Sequence, residues 1–461
     1  MIGLVLALAV AAALTASAAG PIVFTQLAAG QRLAPGDSGM LRAAYGDGAR
    51  LVLRSPEGAL RVLSEGFHSA ADPDVSFDGK RILFAARRTA SDNWNIYEME
   101  AGGGVARQIT RGLGDCRSPA YQPALFVLDA ERPWYQITFV SNVDAPSTNL
   151  YSVKLDGSGL RRLTFNPSSS FDPFLMPDGR ILFASWQRHN PAHGPRGRIG
   201  LFGVNLDGTD FAVFSAGEVQ RIKHMPCVTT SRLAVFVEAE QAPWDGAGRL
   251  GSVSLRRNLH SHRAITGPAD GLFHSPSPLP DGTILVSRRP ADDTGTHAIY
   301  RLDPATGRRD LLFDDPERHD IQARLLAPRP EPDGRSSVVD ESDPNGKLYC
   351  LSVYTADVAL APGTARRLRV VEGSAQGASR ALGEVNLEED GSFNIQVPAN
   401  IPIQLQVLDA GGKPLRSCAW IWVKNRESRG CIGCHEDGEL VPENRLATAL
   451  TRPSVHVAGG K

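Results

Sequence analysis

The sequence predicts an all-β protein: a six-bladed β-propeller followed by a small β-sandwich and a short C-terminal segment. Three observations carry this. The 46 Gly and 32 Pro break the chain into short apolar runs, which read as strands and turns rather than helices. A unit of about fifty residues recurs along the first two thirds. The pattern then changes after a Pro/Gly/Ser-rich stretch. At 461 residues the chain is also too long for a single ordinary core.

One repeat reads Asp72-Pro73-Asp74-Val75-Ser76-Phe77-Asp78-Gly79-Lys80-Arg81-Ile82-Leu83-Phe84, then Asn95-Ile96-Tyr97. Others centre on Asp172-Pro173 with Asp178-Gly179, and on Pro276 with Asp281-Gly282. Asp-Gly between apolar runs is a hairpin turn that needs positive φ, and Ile-Leu-Phe behind it is a buried strand. Tyr97, Tyr151, Phe202, Val253 and Tyr300 align at intervals of 54, 51, 51 and 47 residues, a period that suits four strands per blade. A worn first copy spans 21 to 64, so six copies fit between residue 21 and about residue 325. The repeat resembles the TolB-like family of propeller repeats, which speaks to fold alone.

The expected organisation is a signal peptide over 1–19, the propeller over 20–329, a linker over 330–347, the sandwich over 348–428 and a terminal segment over 429–461. Within the sandwich, Glu389-Asp390-Gly391-Ser392-Phe393 is a turn, and Trp420-Ile421-Trp422-Val423 is expected as its last strand. Met1 to Ala19 is apolar or small throughout, and Ala16-Ser17-Ala18 supplies a cleavage site, although no Lys or Arg precedes it. An uncleaved anchor is the competing reading. Cleavage leaves no membrane span, and the expected location is periplasmic or secreted. Charge is balanced, 49 Lys+Arg against 50 Asp+Glu, with no basic run of the kind nucleic acid requires.

Six cysteines follow: Cys116, Cys227, Cys350, Cys418, Cys431 and Cys434. The first four allow three disulfide pairings, or stand as buried thiols. The last two belong together, because Cys431-Ile432-Gly433-Cys434-His435 has the spacing that attaches a c-type haem. Two thiols three apart add to the two vinyl groups, and the following His reaches the iron. A disulfide or half a zinc site competes, but zinc needs a second Cys/His pair at ligand spacing and none is visible. One covalent haem is therefore expected, held by Cys431 and Cys434 with His435 as the proximal ligand. Zinc is without support.

The blocks Leu382-Gly383-Glu384-Val385, Glu389-Asp390-Gly391-Ser392-Phe393, Val397-Pro398-Ala399 and Leu408-Asp409-Ala410 resemble the hydrazine synthase alpha subunit family, in its middle domain. So does Cys431-Ile432-Gly433-Cys434-His435-Glu436-Asp437 running on to Pro442-Glu443-Asn444-Arg445. The resemblance implies a propeller followed by a haem-bearing domain over nearly the whole mature chain. It also implies an unusual haem, ligated by a Tyr four residues after the motif His while that His turns to zinc. Glu439 occupies the matching position here, and no second Cys-x-x-Cys-His occurs. Both departures argue against hydrazine synthesis from nitric oxide and ammonia.

Glu439 is retained as a minority iron ligand. His224 and His274, counted back from Pro226 and Pro276, fill the slot of Phe171 in the blade that begins Asp172-Pro173. Two consecutive blades thus bring imidazoles toward one mouth of the channel, as candidate metal ligands or as loop histidines bonded to backbone. The functional expectation is a periplasmic mono-haem protein, a haem-dependent oxidoreductase or electron carrier with an unidentified redox or protein partner. The alternative is a non-catalytic propeller scaffold with a structural or sensory haem.

Overall fold

The computed structural model describes residues 20–30, 47–127, 131–144, 146–188, 193–215, 220–292, 294–356, 360–375, 377–433 and 444–457. The leader segment 1–19, His189, Cys434, His435 and Glu439 lie outside them.

Among the described residues six four-stranded antiparallel units follow one another, the fourth and fifth joined by a parallel bridge between Ile199 and Ile222. Their innermost strands are Arg318–Leu325, Ser69–Val75, Cys116–Val127, Ser169–Leu175, Ile222–Val228 and Leu272–Pro278. Each packs on the next, and Arg318–Leu325 touches both Leu272–Pro278 and Ser69–Val75, so the ring closes on itself. Closure joins the two ends of the propeller. Arg318–Leu325 is the innermost strand of the first unit and pairs antiparallel with Ile22–Ala28, which in turn pairs with Arg50–Arg54. The Asp-Gly turns form as expected, with Gly79, Gly179 and Gly282 at φ of 72°, 80° and 88°. Each carries an N–H that donates to the carbonyl three residues back, at Ser76, Met176 and Leu279.

All six innermost strands bulge at the same place. Asp72, Ser118, Asp172, Met225, Ser275 and Gln322 have φ between 49° and 60°, a region that costs a residue with a Cβ of order 1–3 kcal/mol. The pairing with the neighbouring strand slips there in every unit. In five of the six a proline follows (Pro73, Pro119, Pro173, Pro226, Pro276), which has no N–H to give to the ladder and is tolerated at a bulge. The bulges line an axial cavity of about 60 Å³. They are also wired together. Asp72 Oδ2 accepts the Ser118 N–H at 2.9 Å and Arg117 Nε at 2.7 Å. Gln322 Oε1 accepts the Asp72 N–H at 3.0 Å, and Asp172 Oδ2 accepts the Met225 N–H at 3.1 Å. Side chains of one blade thus satisfy the amides that bulging frees in the next.

The second body is a sandwich of two four-stranded sheets. One holds Ser428–Cys431, Asn345–Cys350, Phe393–Pro398 and Val455–His456 in that order; the other holds Ser379–Asn386, Arg367–Gly373, Ile403–Leu408 and Pro414–Ser417. Strict alternation in Phe393–Pro398 puts Phe393, Ile395 and Val397 inside, against Leu348, Leu368, Val370, Leu405 and Val407. The structure refines the expected layout in three places. Arg335–Ser337, inside the expected linker, adds a parallel strand to the extended end of Cys116–Val127. The sandwich begins at Asn345, and the motif strand Ser428–Cys431 belongs to it. Trp420–Val423 is not a regular strand: only Ile421 makes an isolated bridge, to Ile403. The two indoles explain this, since Trp420 lies over Gly373 while Trp422 leaves the sandwich for the propeller.

Candidate functional site

The motif strand is held from both flanks. Ser428–Cys431 runs parallel to Asn345–Cys350, with Cys350 opposite Cys431. The ladder continues past the strand end, because the Cys431 carbonyl accepts the Leu351 N–H at 3.0 Å and the Ile432 carbonyl accepts the Ser352 N–H at 3.3 Å. Two glycines make this fit. A Cβ on Gly430 would lie 2.5 Å from the Tyr349 ring, and a Cβ on Gly433 would lie 1.8 Å from the Thr355 carbonyl oxygen. The middle Gly of the motif is therefore a packing requirement of the fold. Downstream, Thr448 donates from its N–H and Oγ1 to Asp390 Oδ2, both at 2.9 Å, and the Ala449 N–H donates to Ser392 Oγ at 2.9 Å. Against its partial burial, bonds from the Ser392 hydroxyl and N–H and from Thr448 hold the Asp390 carboxyl down at about 2. Residues on both sides of Cys434, His435 and Glu439 are thus anchored to the same sandwich turn region.

Cys431 is half-buried on the outermost strand of its sheet, and Ile432 beside it is also half-buried. The Cys431 side chain packs against the sandwich core. Cys350 and Cys418 pack within the sandwich core. Cys116 and Cys227 are buried thiols in two different propeller cores, each pushed up to about 12 by that burial. No disulfide joins these two.

A latch then ties the motif strand to the propeller. The Trp422 indole N–H donates to the Gly208 carbonyl at 3.2 Å, and its ring lies 4.0 Å from that of Phe211. Buried Glu427 accepts the Asp210 N–H at 2.8 Å on one oxygen and the Lys424 N–H at 2.7 Å on the other. Burial still holds its carboxyl above the usual range. Lys424 Nζ donates to the Arg162 carbonyl at 2.9 Å, and burial lowers its ammonium to about 8, with Asp207 pulling the other way. Arg429, two residues before Cys431, donates to the Trp422 carbonyl at 3.3 Å and lies over Phe211 at 5.6 Å. Beside this latch a cleft of about 660 Å³ opens, lined in part by Arg161, Arg162, Phe165, Asp207, Lys424 and Arg426.

The histidines of the channel mouth fall elsewhere. His224 and His274 do occupy equivalent slots, one residue before the bulges at Met225 and Ser275. His224 stands edge-on to Phe171 at 6.4 Å, its Nε2 is 2.8 Å from the Gly246 carbonyl, and its Nδ1 is 3.6 Å from Asp172. His274 Nδ1 bonds Ser275 Oγ, and its ring lies 5.6 Å from that of His297. Among the described residues no three His, Cys, Asp or Glu side chains are placed to hold a metal ion. Sequence reading missed the rest of this cluster: His297, His319, Asp245, Arg289 and Trp244. They come from separate stretches of the chain, so no single sequence motif joins them.

A β-propeller joined through a buried latch to a β-sandwich, whose edge strand ends in the first Cys of a Cys-x-x-Cys-His sequence, is the class of protein this chain represents. Residues 354–436, motif included, match the family model of the hydrazine synthase alpha subunit middle domain. The chain is a relative of that subunit: it is 25% identical to hydrazine synthase subunit alpha of Kuenenia stuttgartiensis over 84% of its own length and 62% of the relative's. It therefore spans less than two thirds of that relative. The solved Kuenenia stuttgartiensis hydrazine synthase superposes with a TM-score of 0.81 at 24% identity, covering 94% of this chain and 71% of that one. A TolB from Acinetobacter baumannii aligns at a TM-score of 0.45 and 15% identity over 66% of each chain. No helix among the described residues is long and apolar enough to cross a membrane.

Proposed function

We propose that the chain is a mono-haem c-type protein located outside the cytoplasm, carrying out redox or small-ligand chemistry beside the propeller–sandwich junction. Cys431 and Cys434 would hold the haem as thioethers, with His435 as the proximal ligand. The observation that carries this reading is the frame around the motif: Gly433 against the Thr355 carbonyl and Cys431 half-buried on the sheet edge. When bound, the haem would supply a one-electron iron centre whose potential is set by ligand, hydrogen bonding and burial.

The chain's own contribution is positional. Arg429, Glu427 and Trp422 fix the strand that ends in Cys431 against the propeller. The Thr448–Asp390 bonds fix the chain again beyond the motif. Hydrazine synthesis is not proposed, because Glu439 stands where the resemblance places a Tyr. A redox partner is required for turnover, since one haem stores one electron.

The test is expression of the chain in a host with c-type maturation, with oxidised and reduced spectra recorded with and without nitric oxide. High-spin bands that shift with nitric oxide support ligand chemistry. A low-spin, inert spectrum supports electron transfer. Absence of covalent haem refutes the proposal.

A further inference from the structure

The motif strand brings Cys431 alongside a second thiol that haem attachment does not use. Cys350 and Cys431 stand opposite one another in the parallel register of Asn345–Cys350 with Ser428–Cys431. Residues paired across two strands point to the same face of the sheet. The preceding pair shows this directly, since a Cβ on Gly430 would meet the ring of its registered partner Tyr349 at 2.5 Å. One residue further along, the side chains turn to the other face. Cys350 is 1% exposed and Cys431 half-buried, and both pack against the same core, with Leu348, Ile395 and Val397.

Neighbouring strands run about 4.8 Å apart, inside the roughly 4.4–6.8 Å between Cα atoms that a disulfide spans. Cys418 reaches the core too, but from the opposite sheet, where its sulfur accepts the Leu405 N–H at 3.1 Å. The two sheets of a sandwich stand about 10 Å apart, beyond that span.

We propose that Cys350 and Cys431 join as a disulfide in the haem-free chain, and that this bond withholds Cys431 from its thioether. The bond needs only the sandwich; its role as a gate rests on the haem attachment proposed above. Outside the cytoplasm, thiol–disulfide oxidants are at hand. Such an oxidant meets Cys431 first, because it is the more exposed of the two and lies on the edge strand. The Cys431 thiolate attacks the oxidant's disulfide, giving a mixed disulfide and releasing one of the oxidant's thiols. The Cys350 thiolate then displaces the other. One S–S bond breaks and one forms, and the oxidant leaves as a dithiol with two electrons and two protons. Addition to a haem vinyl group needs an S–H, so Cys431 can add only after a reducing dithiol reverses the exchange.

The test is a cysteine map of the full chain made without haem maturation. Thiols are blocked with N-ethylmaleimide, the chain is digested with trypsin unreduced, and linked peptides are read by mass spectrometry. A link between peptides 348–366 and 430–445 is expected in the wild type and in Cys434→Ser, and is absent in Cys431→Ser. With c-type maturation and oxidised glutathione in the medium, Cys350→Ser should load about twofold more haem per chain than the wild type. A Cys350 peptide found only as the blocked thiol, or a link that survives in Cys431→Ser, overturns the bond. Equal loading of wild type and Cys350→Ser overturns the gate. A chain that shows the link and never takes up haem refutes haem attachment, and the gate with it, while the bond stands. The wild-type map holds even where a variant folds poorly.

Discussion

At the scale of single residues, the most constrained position is Gly433. A Cβ there would overlap the Thr355 carbonyl at 1.8 Å, and backbone cannot move aside as a flexible side chain would. Gly433→Ala should cost about 1–3 kcal/mol by urea denaturation and lower covalent haem loading, read as pyridine haemochrome per protein. Gly102→Ala, with nothing near its Cβ, should change neither. Asp320 offers a second test. It is fully buried, accepts from Gln26 Nε2 at 2.8 Å, and burial raises its carboxyl to about 7. Its raised folded pKa means its contribution is complete below about pH 4 and is lost as pH rises to about 7, at up to about 1.4 kcal/mol per unit. Asp320→Asn should flatten the stability profile across that window in pH-dependent denaturation; an unchanged slope would exclude Asp320 as its source. The motif could be picked out in the sequence because the chemistry it suggests has a fixed spacing. The Trp244–His319 cluster could not, because its members come from three blades and only folding brings them together.

Among elements, the repeat was readable wherever it kept Asp-Gly and X-Pro. The unit with Asp78-Gly79 and the unit with Pro276 and Asp281-Gly282 show both signals, and their strands lie where the pattern puts them. The strand Arg318–Leu325 carries neither: Gln322 bulges before Ala323 rather than Pro, so the closing strand left no sequence mark. Trp420–Val423 failed for a different reason. Its alternating large apolar residues look like a strand, but Trp422 is a peg between two bodies, buried with Phe165 and Phe211 in a propeller core. Trp422→Ala should cost about 3–5 kcal/mol and split thermal unfolding into two transitions as the bodies uncouple, measurable by calorimetry. A single transition at an unchanged temperature would show that the latch does not couple them.

For the whole molecule, the ring and the sandwich divide the work. Closure of the first blade by strands from both ends of the propeller makes the ring one cooperative body, and the bulge belt fixes its axis. The sandwich supplies an edge for the motif, and the Trp422–Glu427–Lys424 latch keeps that edge against the propeller. Fold class was legible because hydrophobic period and turn chemistry repeat. The orientation of the two bodies was not, because single side chains such as Trp422 and Glu427 set it. The central claim is that this frame presents a haem. The most direct measurement is covalent haem content of the wild type and the Cys431→Ser/Cys434→Ser variant after acid–acetone extraction, both produced with c-type maturation. One haem per chain in the wild type and none in the variant is the predicted result. A wild-type chain that folds and holds no covalent haem would contradict it.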